Sequence, residues 1–261
     1  MLFSVRENSN ISSGERGVED LELELTGELA VVTVNRPHAR NAIAQSTMDE
    51  LEKVLDAVEG TAGVRALVLT GAGDRAFVSG GDLKELSTLR TEEQAMAMAL
   101  RMRGVCDRIA GFPGPVVAAL NGHALGGGAE LAAAADIRVA ADDIKIAFNQ
   151  VALAIMPAWG GLERLTALVG RGRALLLAGT GELLGAAEAH ALGFVDRVLP
   201  RRSFAEDWRS IATVLATRPA QEIKRITAGG VPAEEAARAF AGLWVADEHW
   251  EAAERVMNRG Q

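Results

Sequence analysis

The chain has 261 residues, a formal net charge of −8, 49% apolar residues and 24% charged ones. That is an ordinary globular balance, long enough for one large domain with an appendage, and the acidic excess argues against nucleic acid as a partner, because a phosphate backbone needs a basic face. A single cysteine, Cys106, excludes an internal disulfide, and no run reaches the ~18 apolar residues of a membrane span. The polar stretch before Asp20 holds acids and no apolar core of a secretion signal, so the expected location is the cytoplasm, away from any membrane.

Residues 1–19 are expected to form a loose tail. Leu21 to Leu25 alternates apolar and acidic residues, and Leu29 to Val34 follows a Thr26-Gly27 turn, which predicts a hairpin. Asn35-Arg36-Pro37 ends its second strand. Asn41 to Glu59 predicts a helix with Met48, Leu51, Val54, Leu55 and Val58 on one face. Ala66 to Leu69 reads as a buried strand, and Ala76 to Leu83 as a glycine-bearing turn from strand to helix. A long helix is expected over Glu92 to Ala110. The strand Val116 to Leu120 then runs through Asn121-Gly122 into three glycines and an alanine-rich helix, Ala129 to Ala135. Asp136 to Ala140 and Ile144 to Phe148 predict short strands. Pro157 to Gly161 opens a helix through Val169, Arg173 to Ala178 forms another, and Gly193 to Val198 is a last strand. Beyond Pro200 only helical spacing remains, over roughly 202–217, 219–228 and 232–258. The expectation is an α/β fold, with a core over residues 1–199 and a C-terminal helical region over 200–261.

Gly126, Gly127 and Gly128 at a helix start leave amides uncovered by side chains, in a first turn whose N–H groups are unpaired and partly positive. Ser79-Gly80-Gly81 repeats the device. Two main-chain N–H groups from separate turns, converging on one oxygen, make an oxyanion hole, and the amides of Gly81 and Gly127 are the candidates. The bland alternative is two tight turns that permit close packing. Glu130 is either a general acid/base or a helix-start carboxylate favoured by the dipole. Gln150, just past a strand, can orient a ligand but cannot exchange a proton. Asp82 suits a helix cap, Lys84 can reach a phosphate, and Trp159 can wall an apolar pocket or simply pack. Neither glycine turn matches a dinucleotide or P-loop pattern, and Ser79 lacks the hydrolase elbow. His38, His123, His190 and His249 have no metal-ligand spacing, so no metal is expected.

Together these motifs resemble the enoyl-CoA hydratase/isomerase (crotonase) superfamily from about Leu21 onward. The pieces are Asn35-Arg36-Pro37 with Asn41-Ala42, Ala76 to Leu83, Asn121-Gly122 through Glu130-Leu131, and Pro157 with Gly160-Gly161 and Arg164-Leu165. The resemblance implies a spiral of ββα units, a C-terminal helical part, and assembly as homotrimers or pairs of trimers. It implies an acyl-CoA thioester as ligand, with coenzyme A part of the substrate and no separate cofactor. Carried over by position, Gly81 and Gly127 supply the oxyanion amides, and the loop Ala76-Phe77-Val78-Ser79-Gly80-Gly81 lines the adenine and pantetheine path. Asp82, Leu83, Lys84, Gly126 and Trp159 fall in the same substrate-binding set. Glu130 falls on one of the two carboxylates of the family's hydratases, whereas the other position holds Gln150. Ser79-Gly80-x-Asp82-Leu83, Gly126 to Leu131 and Pro157-x-Trp159-Gly160-Gly161 look most like the ethylmalonyl-CoA decarboxylase type. Decarboxylation of a short alkylmalonyl-CoA would leave an enolate on the two amides and need no base, so it is the expected reaction. Enoyl-CoA hydration or isomerisation, and acyl-CoA binding without catalysis, are the alternatives.

Overall fold

The computed structural model describes residues 20–258; the tail expected over residues 1–19 lies outside the described residues. The hairpin forms as β1 (Leu21–Thr26) and β2 (Leu29–Val34), antiparallel with Leu23 opposite Val32. Its alternation does the sorting: Leu21 and Leu23 are buried while Glu22 faces out. Helix α1 (Gln45–Gly60) buries the five apolar residues expected, but it begins four residues later than its spacing suggests. Asn41 adopts a left-handed φ of 55°, and Ile43 bridges in parallel to Gly81. Those residues are engaged with a neighbouring turn, and tertiary hydrogen bonds override local periodicity.

The chain then alternates between two sheets. In order come β3 (Ala66–Gly71), β4 (Ala76–Val78), the short helix α2 (Leu83–Leu86), α3 (Glu92–Gly111), β5 (Val116–Leu120), β6 (His123–Leu125), α4 (Gly127–Ala133), β7 (Ile137–Ala141) and β8 (Lys145–Ala147). Helices α5 (Gly161–Val169) and α6 (Arg171–Thr180), strand β9 (Leu184–Gly185), helix α7 (Ala186–Ala191) and strand β10 (Arg197–Leu199) complete the core. The large sheet has the order β1-β2-β3-β5-β7-β10, parallel after its first pair, and the small sheet β4-β6-β8-β9. Each turn of the chain therefore lays one strand on each sheet beside the previous turn, a spiral of ββα units. Strand β5 is buried along its whole length, as a parallel strand covered on both faces must be.

Several boundaries differ from the sequence reading. His123 to Leu125 forms a strand rather than a turn, because Asn121 locks the corner before it. Its Nδ2 donates to the Gly73 carbonyl at 2.7 Å, and its Oδ1 accepts from the Gly71 amide at 2.9 Å. Helix α4 starts at Gly127, two residues before the alanine run. The last strand is Arg197–Leu199 rather than Gly193 to Val198.

The C-terminal part comprises α8 (Phe204–Leu215), α9 (Arg218–Thr227), α10 (Ala233–Trp244) and α11 (Asp247–Asn258). The expected single helix over 232–258 is broken at Val245-Ala246. Folding back there lets Trp244 stack on His249 at 4.6 Å and meet Trp250 edge-on at 5.6 Å.

Candidate active site

Two strand-to-helix turns meet at the centre of the spiral. The Ile43 amide donates to the Gly80 carbonyl and the Asp82 amide to the Ile43 carbonyl, both at 2.8 Å. A parallel bridge of this pattern uses the peptide groups flanking Gly81, so the N–H of Gly81 itself points the other way. On the second turn Gly126 has φ 54° and ψ −119°, a conformation open to glycine, and donates to the Ala147 carbonyl at 2.8 Å. The Gly127 amide follows at the first helical position, where no intrahelical acceptor exists. The turns adjoin, since a Cβ on Gly80 would lie 3.4 Å from the Gly127 nitrogen. Among the described residues neither the Gly81 nor the Gly127 amide has an acceptor.

Close packing is present as well. A Cβ on Gly127 would fall 2.3 Å from the Trp159 ring, and one on Gly128 would fall 1.8 Å from the Val78 carbonyl oxygen. The glycines serve both readings: they let α4 press onto β4 and Trp159, and they leave bare donors.

The first turn of α4 carries Glu130 inward until it is 2% exposed. Its Oε1 accepts from Gln150 Nε2 at 2.8 Å and from the Ala158 amide at 3.3 Å. Its Oε2 accepts from the amides of Trp159 at 2.7 Å and Gly161 at 3.0 Å. Burial pushes the carboxyl above the ordinary Glu range, and the Gly161, Trp159 and Ala158 amides with the Gln150 side chain hold it back. Gln150 therefore spends an N–H on the acid. Its Oε1 is buried without a partner, the only side-chain polar atom so placed among the described residues. An orphaned buried acceptor costs stability unless something donates to it, and here it lies beside the acid.

The other expected residues divide. Gly81, Ser79, Asp82, Leu83 and Lys84 line a cavity of about 630 Å³ with Arg36, His38, Arg40, Leu125 and Asn149. Ala76 and Ser79 line a neighbouring one of about 420 Å³ with Arg40, Arg75, His123 and Arg201. Phe77 and Val78 sit on the core side instead, fully buried. Asp82 caps α2 through the Lys84 amide at 3.2 Å and pairs with Arg36 at 3.0 Å. Burial would raise its pKa, but the Arg36 hydrogen bond and the Glu85 and Lys84 amides leave it below the usual range. Trp159 is packed over Gly127, with its ring in the core and its amide on Glu130. Cys106 is buried on α3, its thiol pushed up to about 12, and so inert.

Residue-by-residue reading missed Arg36 and Asn41, which brace the cavity wall. Arg36 reaches the Ala42 carbonyl at 2.6 Å, while Asn41 Nδ2 donates to the Ala76 carbonyl at 2.7 Å. Their signal lay in the Asn35-Arg36-Pro37 and Asn41-Ala42 motifs. The Ala158 and Gly161 amides gave none, since a main-chain donor has no letter of its own.

Fold and site define a class of α/β protein that sets bare main-chain donors beside a buried acid. A model of the enoyl-CoA hydratase/isomerase family matches residues 24–236. The chain is 37% identical over 202 residues to a short-chain-enoyl-CoA hydratase of Clostridium acetobutylicum, covering 77% of each. It is 38% identical over 194 residues to a crotonyl-CoA hydratase of Syntrophomonas wolfei, covering 74% of each. A solved enoyl-CoA hydratase from Bacillus anthracis superposes with a TM-score of 0.84 at 31% identity, over 92% of this chain and 96% of that one. The chain belongs to the enoyl-CoA hydratase/isomerase family and is an enzyme acting on CoA thioesters. These relatives carry hydratase names, not the decarboxylase name that the motifs suggest.

Proposed function

We propose that the protein adds water across the double bond of a short enoyl-CoA, with Glu130 as its one acid/base group. The carrying observation is the Glu130–Gln150 pair at 2.8 Å with the Gln150 Oε1 left as an unpartnered acceptor. A water seated there donates one hydrogen to Gln150 and the other to Glu130 Oε1 in place of the Ala158 amide, whose 3.3 Å contact is the longest of the four on that carboxylate. As its oxygen attacks Cβ, its proton passes to Glu130. The thioester oxygen takes up the negative charge and is held by the Gly81 and Gly127 amides. Glu130 then returns that proton to Cα, so the net addition is one water and no second acid is required. The thioester tail lies in the cavity of about 630 Å³ lined by Ser79, Asp82, Leu83 and Lys84, with Ala76 and Gly80 on the same loop. The reading includes assembly as a trimer or a pair of trimers, supported by the exposed Phe240, Trp244 and Trp250 of α10 and α11.

A second reading, loss of CO2 from an alkylmalonyl-CoA, is favoured by the neutral amide at position 150. An amide repels a substrate carboxylate less than a second acid would, and the enolate left behind needs the same two donors. Crotonyl-CoA, methylmalonyl-CoA and ethylmalonyl-CoA offered separately to the purified enzyme distinguish the two. Hydration of crotonyl-CoA without CO2 release is the expected result. CO2 release without hydration would replace the main reading with the second, and tight thioester binding with no turnover would reject both.

A further inference from the structure

Glu130 depends on an irregular segment that runs into the first residue of α5. Ala158, Trp159 and Gly161 aim their amides at its carboxylate, within 3.3 Å at most. What aims the loop is visible on its far side. Arg164, on the first turn of α5, donates through Nη1 to the Trp159 carbonyl at 3.2 Å. Its Nη2 is held by Asp107 of α3 at 2.5 Å. Gly160 between them has φ 84°, and a Cβ there would fall 2.4 Å from Arg164 Nη1, so the guanidinium lies directly over that peptide. Arg103 of α3 adds a second strut to α5 through Glu163 at 2.7 Å.

We infer that Arg164, anchored by Asp107, is a positioning residue that fixes the Trp159–Gly161 amides on Glu130 and thereby sets the acid's proton affinity. A planar fork can hold a carbonyl and a carboxylate at once, which an ammonium does poorly. The inference rests on Glu130 being the acid/base group. Without the strut the amides loosen. The anion then loses donors that oppose its burial, and its protonated form persists to higher pH. Of the charged and titratable groups of α3, Arg103, Cys106 and Asp107 lie toward the site, while Arg101 and Arg108 turn to α1 and Glu92 and Glu93 sit in the first turn at the far end; α5 adds Glu163 and Arg164, β6 adds His123, and the segment bearing Gln150 through Leu153 has none. Cys106 stays protonated across any working range.

The test is the pH profile of crotonyl-CoA hydration for Arg164→Met, Arg164→Lys, Asp107→Asn and Glu130→Gln, each first checked for native circular dichroism. Arg164→Met should move the acidic limb of kcat/KM upward and lower kcat about tenfold, with KM within about twofold of wild type. Arg164→Lys should recover only part of the shift, and Asp107→Asn should move the limb the same way by less. A limb unmoved by Arg164→Met, or fully restored by lysine, overturns the tether; if Arg164→Met does not fold, an unmoved limb in both Arg164→Lys and Asp107→Asn does so. Full activity in Glu130→Gln would instead overturn the functional reading beneath it, whatever Arg164 does.

Discussion

At the scale of single residues the site turns on a buried carboxylate pulled two ways. Desolvation raises the Glu130 pKa and four donors restrain it, with a net upward shift. If the ionised form is the base, the acidic limb of kcat/KM should have its midpoint above the ordinary Glu value of ~4.3. A midpoint at or below that value would mean the limb belongs to another group. Glu130→Gln keeps the shape but removes the base and turns an NH2 toward two of the four donors, so kcat should fall by about 10²–10⁴ while thioester affinity changes little. Gln150→Glu is the sharper probe. It places a second carboxylate where the amide now sits 2.8 Å from Glu130 Oε1. Two buried acids at that distance share a proton and titrate as a pair. The singly protonated pair then supplies both base and acid, so hydration should persist, and the raised pKa of the pair should appear as a new basic limb. Hydration that persists without such a limb would show that position 150 does not sense Glu130. Sequence made Glu130 and Gln150 visible as letters at a helix start and a strand end. Their contact across twenty positions became visible only when β6 and β8 paired.

At the scale of elements the contact between α4 and β4 decides whether the two glycine turns can adjoin. Gly128 lies against main chain, 1.8 Å from the Val78 oxygen at its would-be Cβ. Main chain cannot rotate aside as a side-chain tip can. Gly128→Ala should gain helix propensity of up to ~1 kcal/mol yet lose more through overpacking, typically ~1–3 kcal/mol. The net effect should be a lower midpoint in urea and a larger loss of activity than of stability, since α4 carries both Gly127 and Glu130. An unchanged midpoint would mean that β4 yields easily. Most elements were legible because their apolar spacing agreed with their final environment, as in α1 with Met48, Leu51, Val54, Leu55 and Val58 buried. The failures share a cause. The start of α1, the strand β6 and the break between α10 and α11 are set by contacts that helical or strand spacing does not encode: Gly81 and Ala76, both distant in sequence, and the local stack of Trp244 on His249 respectively.

Across the whole molecule, one buried cation closes the large sheet. Arg138 of β7 is 2% exposed. Its guanidinium donates to the carbonyls of Phe194 at 2.5 Å, Ala135 at 2.7 Å and Asp136 at 3.2 Å, and to Asp196 at 3.0 Å. Those bonds draw in the segment leading to β10, the outermost strand, from which the helical C-terminal part departs. Lys224 of α9 repeats the device from the other side, reaching the Gly114 carbonyl at 3.0 Å and Asp136 at 2.8 Å. Burial lowers the Arg138 pKa, but an arginine stays charged throughout any working range, so its contribution is independent of pH. Arg138→Met retains the apolar stem and strands the Phe194 and Ala135 carbonyls in the interior. Leaving two buried acceptors unpaired should cost roughly 2–6 kcal/mol, with the same loss expected at pH 6 and pH 8 on the order of experimental error. Guanidinium unfolding followed by circular dichroism measures it. A loss under about 1 kcal/mol would mean that ordered water replaces the guanidinium at low cost, and that the apolar faces of β7 and β10 suffice to close the sheet.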